Sequence, residues 1–446
     1  MALTLTDRFF LLVLGAFGLS GCLGTDVAKK QINESSIADI VQSLTISDPS
    51  DLTPPNREAE MSEYLRFAVA SSPEILALRE AEVAARSQVK LAVSKSRPQV
   101  GASSTVGGYK ADVFEGAVTE GASVSLTASQ LLFDGGYTSG SISAAEVNLA
   151  LAEAVTQTAV NRISGEAADA GVSLFLASAE LQAVQSFKKE LSPHVAQLKL
   201  MAQSGVIDRS VLDEINSRLL EIDLAEEEAR NALSLAELDF SKYFGEAEAP
   251  NSEFVLPSYI DDVSLDKLSY SDVPAVKEAS LRVLLAERQL EIAKSAFFPK
   301  VSAQAGSNSP MDPDEKMSAQ AGVMLTYQLG DGGARKANLA GAEANLLQAK
   351  RSAEFLIDNT EKYFNSMTEK VNTTKNLLGL ADKKQSILAD QLNVAEKQIQ
   401  TGQADISKIF DIKLQINEIK SRVRNGRAEL KRTKIEIAAA LGLFTE

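Results

Sequence analysis

The 446-residue sequence has no tryptophan, one cysteine and one histidine. A single cysteine excludes a framework of intramolecular disulfides and the zinc sites built from paired cysteines. A single histidine excludes a metal centre of several histidines and argues against a catalytic triad with a histidine base. Basic residues are outnumbered, with 45 Lys and Arg against 60 Asp and Glu and a net charge of −15. A nucleic-acid binder needs a basic surface, so that class is excluded, and no catalytic residue, cofactor or metal is predicted.

Long apolar runs are also scarce. No stretch reaches the roughly 18 consecutive apolar residues of a membrane-spanning helix. The apolar run Phe9–Leu19 follows Arg8 and has the character of the hydrophobic part of a signal peptide. We therefore expect residues 1–21 to be an export signal. Residues 22–60 are polar, and we expect them to form a tail that leads to the body of the protein.

The signal ends in Leu19-Ser20-Gly21-Cys22, which resembles the lipobox of bacterial lipoproteins. The resemblance implies cleavage before Cys22 and its acylation, with palmitate among the acyl chains. Because Leu23 rather than Asp follows, it also implies retention in the outer membrane. Two or three acyl chains on one residue anchor a protein stably, whereas one chain is marginal. The alternative is an ordinary secretory signal with a chance cysteine.

The body of the chain consists of two similar halves. Landmarks of the first half recur 197 residues later: Phe133-Asp134-Gly135-Gly136 as Gly330-Asp331-Gly332-Gly333, Ser204-Gly205 as Thr401-Gly402, and Phe244-Gly245 as Leu441-Gly442. Such self-similarity is the signature of repeated structural units. The sequence predicts a first repeat at 61–245, a linker at 246–271 and a second repeat at 272–446.

Each repeat is predicted to begin with a helix that ends before a proline, at about Ser62–Ser94 and Pro274–Phe297. Two strand-like segments follow in each. In the second repeat the apolar residues alternate with polar ones: Val323, Leu325, Tyr327 and Leu329. A strand-to-helix junction then comes at Asp134, Gly135, Gly136 and at Asp331, Gly332, Gly333. There Asp can accept hydrogen bonds from the first helical N–H groups, and Gly permits a sharp change of direction.

Two very long helices are predicted, at Tyr137–Gln203 and Ala334–Gln400, each roughly 100 Å long at about 1.5 Å per residue. The second has apolar or small residues at alternating spacings of three and four: Leu339, Ala342, Leu346, Ala349, Ala353, Leu356, Thr360, Tyr363 and Met367. A returning helix repeats the pattern at Ile409, Ile412, Ile416, Ile419 and Val423. This heptad spacing is typical of coiled coils.

Four strands per chain do not close a sheet, and open sheet edges are not tolerated in lipid. Closed membrane barrels need about eight or more strands, so further copies of the chain must supply the rest. Two chains would give eight strands and three would give twelve. The fold class predicted is mostly α-helical with a small β part, and with long antiparallel coiled-coil helices.

The doubled layout, the opening Ser72-Pro73-Glu74-Ile75-Leu76 and the junction Leu132-Phe133-Asp134-Gly135-Gly136 resemble the TolC-like outer-membrane efflux family. The resemblance implies a homotrimer in which four strands per chain complete a 12-stranded transmembrane β-barrel. The helices form an α-barrel that reaches into the periplasm. It implies a passive exit duct in contact with outer-membrane lipid, not an enzyme. The implied partners are a periplasmic adaptor protein and an inner-membrane transporter, either an ABC transporter or a proton-driven pump.

The family has its periplasmic tips at the helix breaks, where the resemblance implies contact with the adaptor. In this sequence those positions are Gly205, Val206, Ile207 and Asp208, and Gly402, Gln403, Ala404 and Asp405. The family also carries two acidic positions, one turn apart, at the entrance constriction. Asp411 matches the second, and Asp405 is a further candidate, whereas the first falls on Lys408. The basic residue that helps to close the entrance in the family falls on Ala404.

Two features of the sequence indicate different cargoes. The junction Leu132-Phe133-Asp134-Gly135-Gly136, in a chain without Trp, resembles the branch of the family that serves type I protein secretion. The lipobox-like Cys22 resembles the branch that exports drugs and other small molecules. We expect protein secretion, with small-molecule efflux as the alternative. A second alternative is a periplasmic coiled-coil scaffold without a pore.

Overall fold

The computed structural model describes residues 53–110, 118–250, 255–256, 258–261, 273–310, 316–400 and 406–445. The contacts divide the chain into the units Met1–Thr53 and Pro54–Glu446, and every element below belongs to the second. The predicted signal at 1–21, the lipidation site Cys22 and most of the tail lie outside the described residues. So do Gly402, Gln403, Ala404 and Asp405 of the second predicted tip.

Helices and short strands follow one another in the same order in both halves. The first half comprises α1 (Met61–Ser71), α2 (Pro73–Ser94), β1 (Gln99–Lys110), β2 (Val118–Phe133), α3 (Tyr137–Gln203) and α4 (Arg209–Phe244). A short helix, α5 (Ser258–Asp261), lies between the halves. The second half comprises α6 (Pro274–Ser295), β3 (Lys300–Pro310), β4 (Ser318–Thr326), α7 (Ala334–Gln400), α8 (Ile406–Leu441) and a 3-10 turn (Leu443–Thr445).

The two halves agree in helix length residue for residue. Helices α3 and α7 both have 67 residues, α4 and α8 both have 36, and α2 and α6 both have 22. The bounds predicted for the two long helices are therefore confirmed. The strands differ more, since β4 has 9 residues where β2 has 16.

The prediction of one helix over Ser62–Ser94 is wrong, because the chain breaks at Ser72. Pro73 is the first residue of α2, and Ser72 before it is extended with ψ 118°. Proline lacks the N–H that would continue a helix, and it disfavours helical conformation in the preceding residue. The second half has no counterpart of α1 among the described residues, and α6 ends at Ser295, two residues before the predicted Phe297.

The four strands form one antiparallel sheet in the order β1-β2-β3-β4. The two hairpins meet where β2 pairs with β3, for example Ser125 with Asn308, so the two repeats are joined within the sheet. The prediction that strand β4 continues through Tyr327 and Leu329 is wrong, because the strand ends at Thr326. The chain then turns towards α7, and the Gln328 side chain donates a hydrogen bond to the carbonyl of Gly330.

The long helices lie side by side in a row. Helix α3 contacts α2, α4, α6 and α8, whereas α7 packs against α6 and α8. The coiled-coil seam predicted for α7 is confirmed, because its positions from Leu339 to Met367 are the less exposed face of the helix. The same spacing continues beyond the predicted seam to Leu388 and Ala395, which are buried.

Both ends of the helix row carry uncovered apolar side chains. On α7 these are Leu377, Leu380, Ile387 and Val394, and on α4 they are Leu220, Leu224, Leu235 and Leu238; each is more than half exposed. Exposed apolar side chains that line one face of a helix mark interaction surfaces in the soluble parts of proteins. In a cyclic assembly the stripe at one end of the row would face the stripe of the next chain.

The largest core holds the middle of the helix row to the segments around it. Tyr64 of α1 is fully buried against Phe240 and Phe244 of α4, with ring centroids 6.1 and 5.4 Å away. The Tyr64 hydroxyl lies 2.9 Å from the carbonyl of Asn56 and 2.7 Å from that of Glu248. It thus links the chain before α1 to the chain after α4.

Helices α3 and α8 approach each other closely at Gly165. A Cβ atom on Gly165 would lie 2.8 Å from the Cβ of Ala439, which is closer than van der Waals contact. The adjoining Asn161 side chain is buried and accepts a hydrogen bond of 2.8 Å from the N–H of Phe444. Small residues on α3 therefore allow the end of the second repeat to lie against the first.

We expect Gly165→Ala to lower the free energy of unfolding by about 1–3 kcal/mol, because the added methyl group overpacks this crossing. The thermal midpoint of the detergent-solubilised protein measures the change. The double variant Gly165→Ala, Ala439→Gly removes the opposing methyl group and should recover most of the loss. A Gly165→Ala protein as stable as wild type would contradict this packing, since Ala otherwise stabilises a helix by up to about 1 kcal/mol relative to Gly.

Candidate functional site: junctions, sheet faces and helix tips

The first strand-to-helix junction connects β2 to α3 in three residues. Gly135 and Gly136 have φ of 68° and 93°, the left-handed region that favours glycine. Asp134 accepts hydrogen bonds from the N–H groups of Gly136 at 3.2 Å and Thr138 at 2.9 Å. A Cβ on Gly135 would overlap Phe298, which follows α6, so this glycine also lets the two repeats pack together.

The second junction has the same backbone and a different side-chain partner. Gly332 and Gly333 have φ of 64° and 94°, and Asp331 accepts from the N–H groups of Gly333 and Arg335, both at 3.0 Å. The Arg335 guanidinium adds a hydrogen bond of 2.7 Å to the same carboxylate. The guanidinium carbon also lies 5.6 Å from the ring centroids of Phe297 and Tyr327. Arg335 therefore connects the start of α7 to both ends of the second hairpin.

These contacts set the charge state of Asp331. The side-chain hydrogen bond from Arg335, with the backbone hydrogen bonds from Arg335 and Gly333, lowers the pKa of Asp331 to about 2. The carboxylate is therefore ionised over the physiological pH range, where it binds the positive end of α7.

The two faces of the sheet differ in chemistry. Val100, Leu126, Val323 and Leu325 lie on one face and are more than half exposed. The opposite face presents Ser, Thr, Gln and Asn: Ser103, Thr105, Ser125, Thr127, Ser129, Ser302, Gln304 and Asn308. In a membrane barrel the apolar face contacts lipid and the polar face lines the interior. The sheet thus has one face suited to each.

The first predicted tip lies between α3 and α4. Gly205 has φ 73°, and the N–H of Val206 donates to the carbonyl of Met201 at 2.9 Å, which ends α3. Asp208 begins α4 by accepting a hydrogen bond of 2.8 Å from the N–H of Ser210, and this contact lowers the pKa of Asp208. The Val206 side chain is 66% exposed, whereas Ile207 packs against the core of the tip.

The core of this tip includes a residue from the second repeat. Phe410 of α8 is 1% exposed among Leu191, Leu198 and Ile215 of α3 and α4. Its neighbour Asp411, predicted to lie at the entrance constriction, is about half exposed, with one carboxylate oxygen 3.7 Å from the guanidinium of Arg218. Lys408 is exposed at the start of α8. The structure therefore places Asp411 beside a cation of its own chain.

A series of ion pairs joins α3 to α8, and none of them was predicted from the sequence. Glu190 pairs with Lys413; Glu180 pairs with Arg424 at 2.8 Å; and Asp169 pairs with Arg432 at 3.1 Å. Burial raises the pKa of the Glu180 carboxyl, but hydrogen bonds from Arg424 and Ser421 outweigh it and lower the pKa overall. The partners are more than 220 residues apart and can be recognised only once the antiparallel register of the two helices is known.

No three side chains of His, Cys, Asp or Glu in the described ranges lie close enough together to hold a metal ion. In that same part of the chain, no helix is both long enough and apolar enough to cross a bilayer.

We expect Asp331→Asn to lower the thermal midpoint at pH 7, because the amide loses the charged contact with Arg335. The folded protein lowers the pKa of Asp331 from an ordinary value of about 3.9 to about 2. The stabilisation is therefore complete above about pH 4 and disappears as the pH falls through about 2, so the two midpoints should converge there. Asp358→Asn, in an exposed pair with Lys362 on the same helix, is the control and should have little effect. A difference that is independent of pH would contradict this assignment.

Known proteins show where this fold occurs. The structure of CusC, crystallised in a study of folding and transmembrane channel formation, superposes with a TM-score of 0.75 and 16% identity over 90% of this chain and 95% of CusC. VceC, an outer membrane protein of Vibrio cholerae, gives 0.75 and 15% over 86% of this chain and 96% of its own. The open state of the MtrE outer membrane channel of Neisseria gonorrhoeae gives 0.68 and 14% over 86% and 89%. No curated protein sequence matches the chain.

The sequence comparison agrees with the structural one. The family model described as outer membrane efflux protein matches residues 65–246 and 269–443, which is most of the chain and covers both repeats. Members of this family are passive trimeric channels of the outer membrane with a helical tunnel in the periplasm, not enzymes. They work with a periplasmic adaptor and an inner-membrane transporter. The chain belongs to the outer membrane efflux protein family and is the channel component of a tripartite pump.

Proposed function

We propose that the cargo of this channel is a protein, exported by the type I route from the cytoplasm to the outside in one passage. The observation that carries the proposal is the junction Leu132-Phe133-Asp134-Gly135-Gly136, which resembles the protein-secreting branch of the family. At this junction two glycines with positive φ turn the chain sharply from β2 into α3. The polar face of the sheet suits a hydrated polypeptide, since it carries mostly Ser, Thr, Gln and Asn.

Small-molecule efflux is the second candidate. It is favoured by the description of the matching family as efflux proteins and by the lipobox-like Cys22. The second alternative, a periplasmic scaffold without a pore, is wrong, because the chain belongs to a family of channels. Energy for export comes from the transporter in either case, since members of the family are passive channels.

We further propose that the helix tips bind the periplasmic adaptor. At the first tip, the 66% exposed side chain of Val206 projects from a turn in which the N–H groups of Gly205 and Val206 donate to carbonyls at the end of α3. An exposed apolar side chain on a rigid turn is suited to burial against a partner. The second tip, at residues 402–405, is included by analogy between the repeats. Asp411 and Asp405 remain candidates for the constriction, and Arg218 offsets part of the Asp411 charge in the conformation described.

Deletion of the gene distinguishes the two cargo classes. If the cargo is a protein, the culture supernatant should lose one or a few large polypeptides, while resistance to toxic small molecules is unchanged. Quantitative proteomics of the supernatant and growth inhibition assays measure the two effects. Lost resistance with an unchanged supernatant would instead support efflux.

In the same export assay, Val206→Glu should reduce export with the trimer intact, because the charge opposes burial of this side chain against the adaptor. Val255→Glu is the control, since Val255 is another exposed valine but lies outside the tip, and it should leave export unchanged.

The anchor has a direct chemical test. We propose that Cys22 carries the lipid, so Cys22→Ser should abolish incorporation of radiolabelled palmitate. Because Cys22 is the only cysteine in the sequence, no other thiol can take up the label. Label retained by the variant, or a wild-type protein whose mass lacks acyl chains, would show that residues 1–22 are an ordinary secretory signal.

A further inference from the structure

A cleft of about 740 Å³ lies where the sheet meets the helices. Its walls come from the ends of α2 and α6, from the start of α3, and from the strands β2, β3 and β4. Three cations line it: Lys95 and Arg97, in the turn after α2, and Lys300, the first residue of β3. All three side chains are exposed.

The cleft has an excess of positive charge. Asp134 is the one carboxylate among its described lining residues, and its oxygens are engaged by the start of α3. None of the described carboxylates forms an ion pair with Lys95, Arg97 or Lys300. The chain as a whole has a net charge of −15, so this region is opposite in sign to the rest of the molecule.

The cleft opens on the polar face of the sheet. Side chains alternate between faces along a strand, so Lys300 lies on the same face as Ser302 and Gln304. The neighbouring strand adds Met324 and Thr326, which pair with Ser302 and Lys300. The intervening Val301 belongs to the apolar face, as do Val323 and Leu325. In a membrane barrel the face of Lys300 is the one that lines the interior.

Trimeric assembly multiplies this charge around one axis. Three chains bring nine cations to the level at which the barrel opens into the helical tunnel. Charged rings in a narrow passage with low-dielectric walls concentrate counter-ions and set ion preference. Here the polar side chains of Ser129 and Gln304, close to the cations, can also donate hydrogen bonds to an anion.

We propose that Lys95, Arg97 and Lys300 form an anion-binding collar at the inner end of the barrel. The collar attracts carboxylates and other anionic groups of the cargo and disfavours cations. It provides a selectivity element of the channel that is separate from the helix tips. The inference rests on the channel fold and on no assumption about which cargo is exported.

The test measures the local potential through cysteine reactivity. Ser302→Cys places a thiol beside the collar, and the purified full-length trimer is treated with two methanethiosulfonates of similar size, one carrying a sulfonate and the other a trimethylammonium group. Mass spectrometry of the peptide containing position 302 gives the two rates without interference from Cys22. This measurement does not depend on whether the helix tips are open, because the barrel is the route of access.

We expect the ratio of the anionic to the cationic rate at position 302 to fall about tenfold when Lys95→Gln, Arg97→Gln and Lys300→Gln are combined. The charge-conserving pair Lys95→Arg, Lys300→Arg should keep the wild-type ratio. Thr105 lies on the same face of the sheet, six residues beyond Gln99 of the cleft and thus roughly 20 Å further along β1. The ratio of the two rates at Thr105→Cys should change little, because salt screens the field of the collar over about 10 Å.

An unchanged ratio at position 302 in the triple variant would overturn the proposal and would indicate that the cations extend towards lipid headgroups instead. An equal change at position 105 would also overturn it, since the effect would then come from the net charge of the protein. Neither outcome depends on the export assay, so failure of the collar and failure of the proposed cargo can be told apart.

Discussion

The constraint on which the structure depends is the unsatisfied edge of its sheet. Strands β1 and β4 each pair on one side only, and the backbone groups on their outer sides need partners in a membrane. Among the described residues no further strand is present to pair with these edges, because the other elements are helices. Closure by neighbouring copies solves this problem and at the same time covers the apolar stripes at the two ends of the helix row.

A second constraint applies to the long helices, which must pack closely against their neighbours over a great length. Helix α3 contacts five other helices and buries many Ala and three Gly residues. Small side chains allow close approach, as at Gly165, and the ion pairs between α3 and α8 form only in one register of the two helices. Long, nearly smooth helices could slide along one another, and specific charged pairs are one way to prevent it.

Much of this architecture can be predicted from one sequence because the signals are periodic and repeated. The 197-residue offset and the heptad spacing of α7 located both long helices to the residue. Local exceptions were harder to see. The break at Ser72 follows from Pro73, and the early end of β4 at Thr326 follows from the turn before Asp331, yet both lie inside otherwise regular patterns. The ion pairs of α3 with α8 and the convergence of Lys95, Arg97 and Lys300 depend on tertiary contacts that a single sequence does not encode in any local pattern.

The matched helix lengths restrict how such a chain can diverge. The starts of α2 and α6, and likewise of β1 and β3, are 201 residues apart in the sequence. The starts of α3 and α7 are 197 residues apart, so the difference in length between the repeats falls within the hairpins. An insertion in only one of the long helices would place its tip at a different height from the tip of the other, and a trimer would repeat this mismatch in each chain. Relatives should therefore gain and lose residues freely in the outward loops, while changes in the rods should come in whole heptads and in both repeats together.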